Sequence, residues 1–247
     1  MNGIETIVFC EGYYDRQFWA GWLTGLGCVD PGKDSGTNCR NPIWDPFGKK
    51  VGGGQYAYRS PSRAFIRIVP CGGGTNVLQQ AQERLKRRGR EPVRHVVVCR
   101  DGDDTGQQLP ELENYIRQTE PSVTNRGSTI ALDDGATRVS LVRWTTNDPP
   151  IPGVPTKQTL ERLVCSALLA VYPHRGITVE NWLKSRPDPP SLSVVKEYSW
   201  SHMAGWYAEH GCEDFYRYVW QVPPVAAELE LRLRESGAWQ TAEELAK

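Results

Sequence analysis

The sequence predicts an α/β fold, a mainly parallel sheet flanked by helices, followed by a C-terminal helical extension. Three observations predict it. Short apolar, β-branched runs alternate with segments of helical periodicity through residue 144. One of these runs, "RHVVVC" (94–99), is apolar without alternation, as a strand covered on both faces would be. Beyond the Pro-rich stretch "TTNDPPIPGVP" (145–155) strand-like runs stop and helical patterns follow one another.

"ETIVFC" (5–10) reads as a short buried strand. In "DRQFWAGWLTGLG" (15–27), Phe18, Trp19, Trp22, Leu23 and Leu26 recur at helical spacing, and Gly25 and Gly27 suit the end of that helix. Residues 29–62 are rich in Gly, Pro, Asn, Lys and Arg and read as a long irregular insertion. "AFIRIV" (64–69) is the second strand. "GGGTNVLQQAQERLKRRG" (72–89) is a loop leading into a helix, with Thr75 or Asn76 as its cap and Arg87, Arg88 and Gly89 at its C-terminus. After the third strand (94–99), "PELENYIRQ" (110–118) is a helix that starts at a proline. A polar, glycine-bearing connection then leads to the fourth strand, "RVSLVRW" (138–144). Helices are expected over 156–173, 178–185, 194–210, 212–222 and 224–237. The expected organisation is an α/β domain over 1–150, carrying the 29–62 insertion, and a helical extension over 151–247 packed on it.

Composition narrows the function. With 29 basic and 29 acidic residues, whole-chain charge predicts neither a nucleic-acid coat nor a membrane-surface protein. The seven cysteines are odd in number and form no CxxC pair, which argues against a zinc ribbon. Cys10 and Cys99 lie in apolar runs, where a thiol acts as a small hydrophobe. A reducing, cytoplasmic setting is the expectation. "MNGIETIVFCEG" has no signal-peptide pattern, and no apolar run is long enough for a membrane span.

Two predicted strands run into acid. The first gives "FCEGYYD", with Glu11 at the strand end and Asp15 opening the helix. The third gives "CRDGDD", with Asp101, Asp103 and Asp104. Glycines follow Glu11 and Asp101 and suit sharp turns. In open α/β sheets function collects at the carboxyl ends of strands. If these strands are neighbours, five carboxylates share one edge, and they cannot all stay ionised without a partner. A hard divalent cation with oxygen ligands is the natural one. A turn or a helix cap remains the alternative for any single Asp. Gly72, Gly73, Gly74 and the helix N-terminus that follows from Thr75 would offer N–H groups to a phosphate, or form a plain strand-to-helix turn.

"IVFCEGYYD" and "VVVCRDGDD" together resemble the Toprim domain, a Rossmann-like fold shared by topoisomerases, bacterial primases, ribosomal-RNA maturases and overcoming-lysogenization-defect (OLD) nucleases. The chain looks most like small stand-alone Toprim proteins and OLD-type nucleases. "VPCGGGTNVLQQ" matches their Gly-rich loop, and "TLERLV" their Leu-Glu pair. The resemblance covers roughly residues 4–170. It implies that Asp101 and Asp103 hold Mg²⁺ or Mn²⁺, and that Glu11 shares the metal or acts as general acid/base. Asp15, Asp104 and Glu161 would complete a second metal position. It further implies cleavage of DNA or RNA, with an ATPase partner in anti-phage defence.

One departure is Tyr13, where nuclease-like members often carry Lys. Lys33, Arg40, Lys49, Lys50 and Arg59 of the insertion, with Arg63 just after it, either replace that charge or sit on a solvated loop. Two other functions stay open. One is a non-catalytic module that grips a Mg²⁺-nucleotide or a nucleic-acid end. The other is a phosphotransfer hydrolase with Asp101 as nucleophile, which leaves Glu11 unexplained. Among the rest, His95 reads as structural, and His174, His202 and His210 lack paired ligand spacing. Trp182, Trp200, Trp206, Trp220 and Trp239 suit either base stacking or a helical core.

Overall fold

The structure is a computed structural model describing residues 4–32, 42–102, 108–118, 120, 122–126, 129–186, 198–202 and 211–247. Seven strands among these residues form one sheet: β1 (Glu5–Cys10), β2 (Tyr56–Arg59), β3 (Phe65–Pro70), β4 (Val93–Asp101), β5 (Val123–Arg126), β6 (Thr129–Leu132) and β7 (Arg138–Trp144). Their order across the sheet is β2-β3-β1-β4-β7-β6-β5. β1 pairs in parallel with both β3 and β4, and β4 pairs in parallel with β7. These four are the strands read from the sequence.

The antiparallel pieces were not foreseen. β2 lies inside the insertion and pairs with β3, so part of 29–62 is an edge strand rather than irregular chain. The polar connection before β7 holds the β5–β6 hairpin, which extends the opposite edge. Both escaped notice because edge strands of four residues, such as "VTNR", have no apolar run to announce them.

Between β1 and β3 runs α1 (Tyr13–Gly25), while β4 lies on the other side of β1. Strand order therefore reverses between β1 and β4, and the crevice beyond their carboxyl ends is where such sheets bind ligands. Side chains alternate across the sheet. Ile7, Phe9, Val96 and Val98 pack under α2 (Gly74–Lys86) and α3 (Gln108–Arg117). Val8, Cys10, Val97 and Cys99 face α1 and the C-terminal helices. Burial on both faces explains the unbroken apolar run of β4.

The C-terminal helices are α4 (Leu160–Val171), α5 (His174–Ser185), α6 (Gly211–Tyr218), α7 (Pro223–Glu235) and α8 (Ala238–Ala246), with a further helical stretch at 198–202. The remainder of the helix expected over 194–210 lies outside the described residues. α4 starts four residues later than its periodicity suggests, because Thr159 caps it and accepts from the Arg162 N–H at 3.4 Å. α8 went unpredicted, yet Trp239, Ala242 and Leu245 bury its inner face. Leu163, Phe215, Leu229 and Trp239 share one core with Val8 and Trp144, so the apolar interior runs across position 150. Arg232 on α7 adds a two-pronged ion pair to Asp148, at 2.6 and 3.1 Å.

Aromatic rings fill the centre of that core. Trp22 stacks on Trp19 at 4.8 Å and on Trp220 at 5.6 Å, and Phe18 meets Trp144 edge-on at 5.1 Å. Trp220 and Trp239 thus serve packing, whereas Trp182 and Trp200 are exposed and Trp206 lies outside the described residues. Gly21 lets α1 and α6 approach: a Cβ there would lie 2.5 Å from Trp220 Cδ1 and 2.7 Å from the Arg217 carbonyl. Gly21→Ala is expected to destabilise the fold by about 1–3 kcal/mol, since backbone must move to admit the methyl. Urea unfolding measures it, and an unchanged midpoint would contradict this packing.

Candidate functional site

The end of β1 is stitched to the end of β3. The Cys71 N–H donates to the Cys10 carbonyl at 2.8 Å, and the Glu11 carbonyl accepts from Gly72 and Gly73 at 2.8 and 3.0 Å. Gly72 (φ +77°) and Gly73 (φ +125°) adopt backbone that L side chains rarely take. Gly74 answers a different need: a Cβ there would lie 3.0 Å from Glu11 Oε1 and 3.2 Å from the Arg100 guanidinium. The loop's chief task is therefore to shape the seat of Glu11. The expectation that Gly72 and Gly73 present their N–H groups to a phosphate is corrected, because both groups are spent on Glu11. Gly74 and Thr75, in the first turn of α2, keep that candidacy. Nor does Thr75 or Asn76 cap α2; Gly73 does, without a side-chain bond, while Asn76 Nδ2 reaches back to the Cys71 carbonyl at 3.1 Å.

β4 runs two residues further than expected, and Asp101 is its last residue. The Asp101 N–H donates to Glu11 Oε1 at 3.2 Å, so the two acid-bearing strand ends meet at the reversal of strand order. Asp101 Oδ1 accepts from the Leu160 N–H at 3.3 Å, where the positive end of α4 favours an anion. This contact joins Asp101 to a helix nearly sixty residues away, not to the adjacent α3. Gln108 Nε2 donates to the Asp101 carbonyl at 2.6 Å. The Gly102 N–H meets the Gln158 carbonyl at 2.6 Å, while the Gln158 side chain pairs with both backbone groups of Thr146 at 3.0 Å.

The expected reason for the two glycines also changes. Gly12 is extended (φ −144°), and neither it nor Gly102 has positive φ. Gly102 is required by space instead, as a Cβ would lie 2.4 Å from Thr145 Cγ2 and 2.8 Å from the Trp144 carbonyl.

Asp15 is buried one helical turn below Glu11. Its Oδ1 accepts from the Trp144 indole at 2.5 Å, and its Oδ2 from the Gly12 N–H at 3.0 Å. Both oxygens therefore already have partners within the fold. Burial pushes the Asp15 carboxyl up to about 7, opposed by the Trp144 bond and reinforced by the charges of Glu161 and Glu11. Asp101 rises to about 8, through burial first and then the charges of Asp15, Glu11 and Glu161. Glu161, in the first turn of α4, thus belongs to the same field as the other three carboxylates. Asp103 and Asp104 lie outside the described residues.

Arg100, Gln158 and Trp144 went unnoticed in the sequence. Arg100 pairs with Glu111 at 2.6 Å and brings its Nε to 4.0 Å from Glu11 Oε1, which places a cation at the site. Its place beside Asp101 at a strand end was the available signal. The insertion's described basics are engaged elsewhere where their contacts are defined. Lys49 pairs with Glu91 ahead of β4, and Arg59 Nη1 reaches the Arg63 carbonyl at 3.4 Å. Lys33 and Arg40 lie outside the described residues. His95 is buried and meets Ser140 Oγ at 2.8 Å, a structural position.

The donor set fits a hard divalent cation in chemistry. Its donors are oxygens, and desolvation and mutual repulsion push its buried carboxyls toward the protonated form, a shift that a cation would oppose. Among the described residues no three His, Cys, Asp or Glu side chains converge into a ready metal-binding group. Asp103, at the expected ligand position, is not among those residues.

No protein-family model matches the chain, and no curated protein matches it. A crystal structure of a hypothetical protein from Pyrococcus horikoshii OT3 is similar at 17% identity, covering 98% of this chain and 99% of that one with a TM-score of 0.71. The two share the α/β fold. A protein of unknown function from Thermoplasma acidophilum matches at 12% identity over 94% and 92% of the two chains, with a TM-score of 0.26. Among the described residues no helix is long and apolar enough to cross a membrane.

The raised carboxyls have a measurable consequence. Asp101 has an ordinary value of 3.8 and a folded value of about 8, so between these the folded state binds more protons than the unfolded one. Stability from this group is complete below its ordinary value and is lost as pH rises through about 8. In chelator, the thermal midpoint is expected to fall between about pH 5 and about pH 9, with a flatter profile for Asp101→Asn. An identical slope in the variant would rule out Asp101 as its source.

Proposed function

We propose that the protein is a metal-dependent nuclease of the Toprim type, hydrolysing phosphodiester bonds of DNA or RNA. The observation that carries this is the 3.2 Å contact between Glu11 Oε1 and the Asp101 N–H, which unites the Glu-Gly and Asp-Gly-Asp motifs at the crevice where strand order reverses. Glu11 and Asp101, joined by Asp103, would hold Mg²⁺ or Mn²⁺. When bound, that ion supplies charge stabilisation for a phosphoryl group in displacement. Glu11, held by the β1–β3 clamp, accepts and returns a proton at Oε1. Asp101 presents its carboxylate beside it, buttressed by the N-terminus of α4. Asp15 holds the Trp144 indole and adds negative charge from below, and Glu161 adds its own from α4. Arg100 offers the cation that Tyr13 does not, positioned to meet a phosphate oxygen. An ATPase partner in anti-phage defence, as in the OLD-type nucleases the sequence resembles, belongs to the same proposal.

One observation favours a second reading, a non-catalytic module gripping a Mg²⁺-nucleotide or a nucleic-acid end. Both oxygens of Asp15 and one of Asp101 are already hydrogen-bonded inside the fold. Incubating the protein with plasmid, single-stranded DNA and RNA in Mg²⁺ or Mn²⁺ separates the two. For the nuclease, Glu11→Gln and Asp101→Asn should each lower cleavage by roughly 10²-fold or more. Cleavage unchanged in both variants would overturn the site. Metal binding without cleavage would favour the binding module.

The Arg100 assignment has its own test. Arg100→Ala is expected to raise KM for any cleaved substrate roughly tenfold through a lost charge-assisted phosphate contact. Unaltered kinetics would remove Arg100 from the site.

A further inference from the structure

Resting on the nuclease reading, we infer that Tyr13 is a base-stacking platform that makes the site selective for single-stranded nucleic acid. Tyr13 opens α1, two residues after Glu11, and is 54% exposed. Its neighbours on the helix are occupied: Tyr14 stacks on Tyr216 at 4.8 Å, and Phe18, Trp19 and Trp22 are buried in the core. An exposed tyrosine beside these rings contributes little apolar burial, yet its ring is held from behind. The Arg16 guanidinium lies 4.8 Å from the Tyr13 ring centroid and 4.2 Å from that of Tyr56, so the cation sits against both aromatic rings. Arg16 is itself buried and donates to the Gly54 carbonyl at 2.7 Å. Gly54 (φ +80°) borders the ring edge, since a Cβ there would come within 3.4 Å of Tyr13 Cε1. The ring is thereby oriented by the fold before any ligand arrives, while over half of the residue stays open to solvent.

A pre-oriented aromatic surface next to a phosphate-handling site suits an unpaired base. Paired bases are already stacked within a duplex and cannot reach such a surface without being flipped out, whereas unpaired bases stack on aromatic side chains whatever their sequence. The phosphate would be met by Arg100 and by the metal ion that Glu11 and Asp101 would hold, and the neighbouring base by Tyr13. The insertion would act through its Gly54 turn and β2, which set the ring's backing.

Binding can be read without cleavage by using the whole chain in Ca²⁺ and following the fluorescence anisotropy of three probes: a short oligothymidylate, its abasic counterpart of equal charge, and a duplex of equal length. The wild type should bind oligothymidylate more tightly than either of the others. Tyr13→Ala should weaken oligothymidylate binding roughly tenfold, down to the abasic level, while Tyr13→Phe and Tyr13→Trp retain it. In Mg²⁺ turnover the Ala variant should raise KM for single strands and leave kcat unchanged. Equal affinity of the wild type for oligothymidylate and the abasic probe, or unaltered binding by Tyr13→Ala, would overturn the platform even if cleavage is robust. Base-dependent binding lost in Tyr13→Ala without any cleavage would sustain the platform and remove the nuclease instead.

Discussion

Crowded carboxylates in a desolvated crevice are the constraint on which the rest of this structure turns. Asp15 and Asp101 are driven toward protonation by burial, and the charges of Glu11 and Glu161 push the same way. Nothing local to either residue compels this. The crowding exists because β1 pairs in parallel with both β3 and β4, so that adjacent strands deliver acid to one edge. That cost does nothing for stability. Clustered carboxyls with raised pKa in a crevice are what the proposal of a bound cation rests on.

The core below the crevice holds it in place. Trp144 ends β7 directly opposite Asp101 in the register, and its buried indole N–H needs an acceptor, which Asp15 provides. The aromatic cluster that packs α1 against α6 therefore ends in a hydrogen bond at the floor of the site. From above, the Glu11 carbonyl clamp and the Gln158 side chain secure the chain on either side of the two strand ends. Glycines appear where backbone must pass close by, as at Gly74 and Gly102, or turn left-handed, as at Gly72 and Gly73.

Around the acidic centre the chain distributes complementary chemistry at short range. Arg100 stands beside Glu11 on the α2 side, and α4 points its N-terminus at Asp101. Tyr13 and Arg16 lie on the opposite shoulder, backed by the Gly54 turn of the insertion. On the reading proposed above, a ligand with a phosphate flanked by a flat ring would meet all three features. Among the described residues, the 29–62 insertion contributes an edge strand and a glycine turn to this arrangement, and its Lys49 is paired away from the site.

The sequence by itself determined the four parallel strands, the two strand ends that run into acid, and the glycine loop after β3. Those features are written in local patterns: apolar runs, their length, and the residue types that end them. It also placed Glu11, Asp15, Asp101 and Glu161 in one candidate set, through spacing and resemblance. Tertiary structure alone decided that Asp101 meets the N-terminus of α4, that Asp15 serves the Trp144 indole, and that Arg100 places a cation beside Glu11. Each of these joins segments tens of residues apart, and no periodicity records such a meeting. The same holds for the glycine loop, whose N–H groups looked open to a phosphate until pairing of β1 with β3 brought the Glu11 carbonyl to them. Local pattern reports which face of an element is apolar; which distant group satisfies a buried polar atom is set only when the sheet brings the two together.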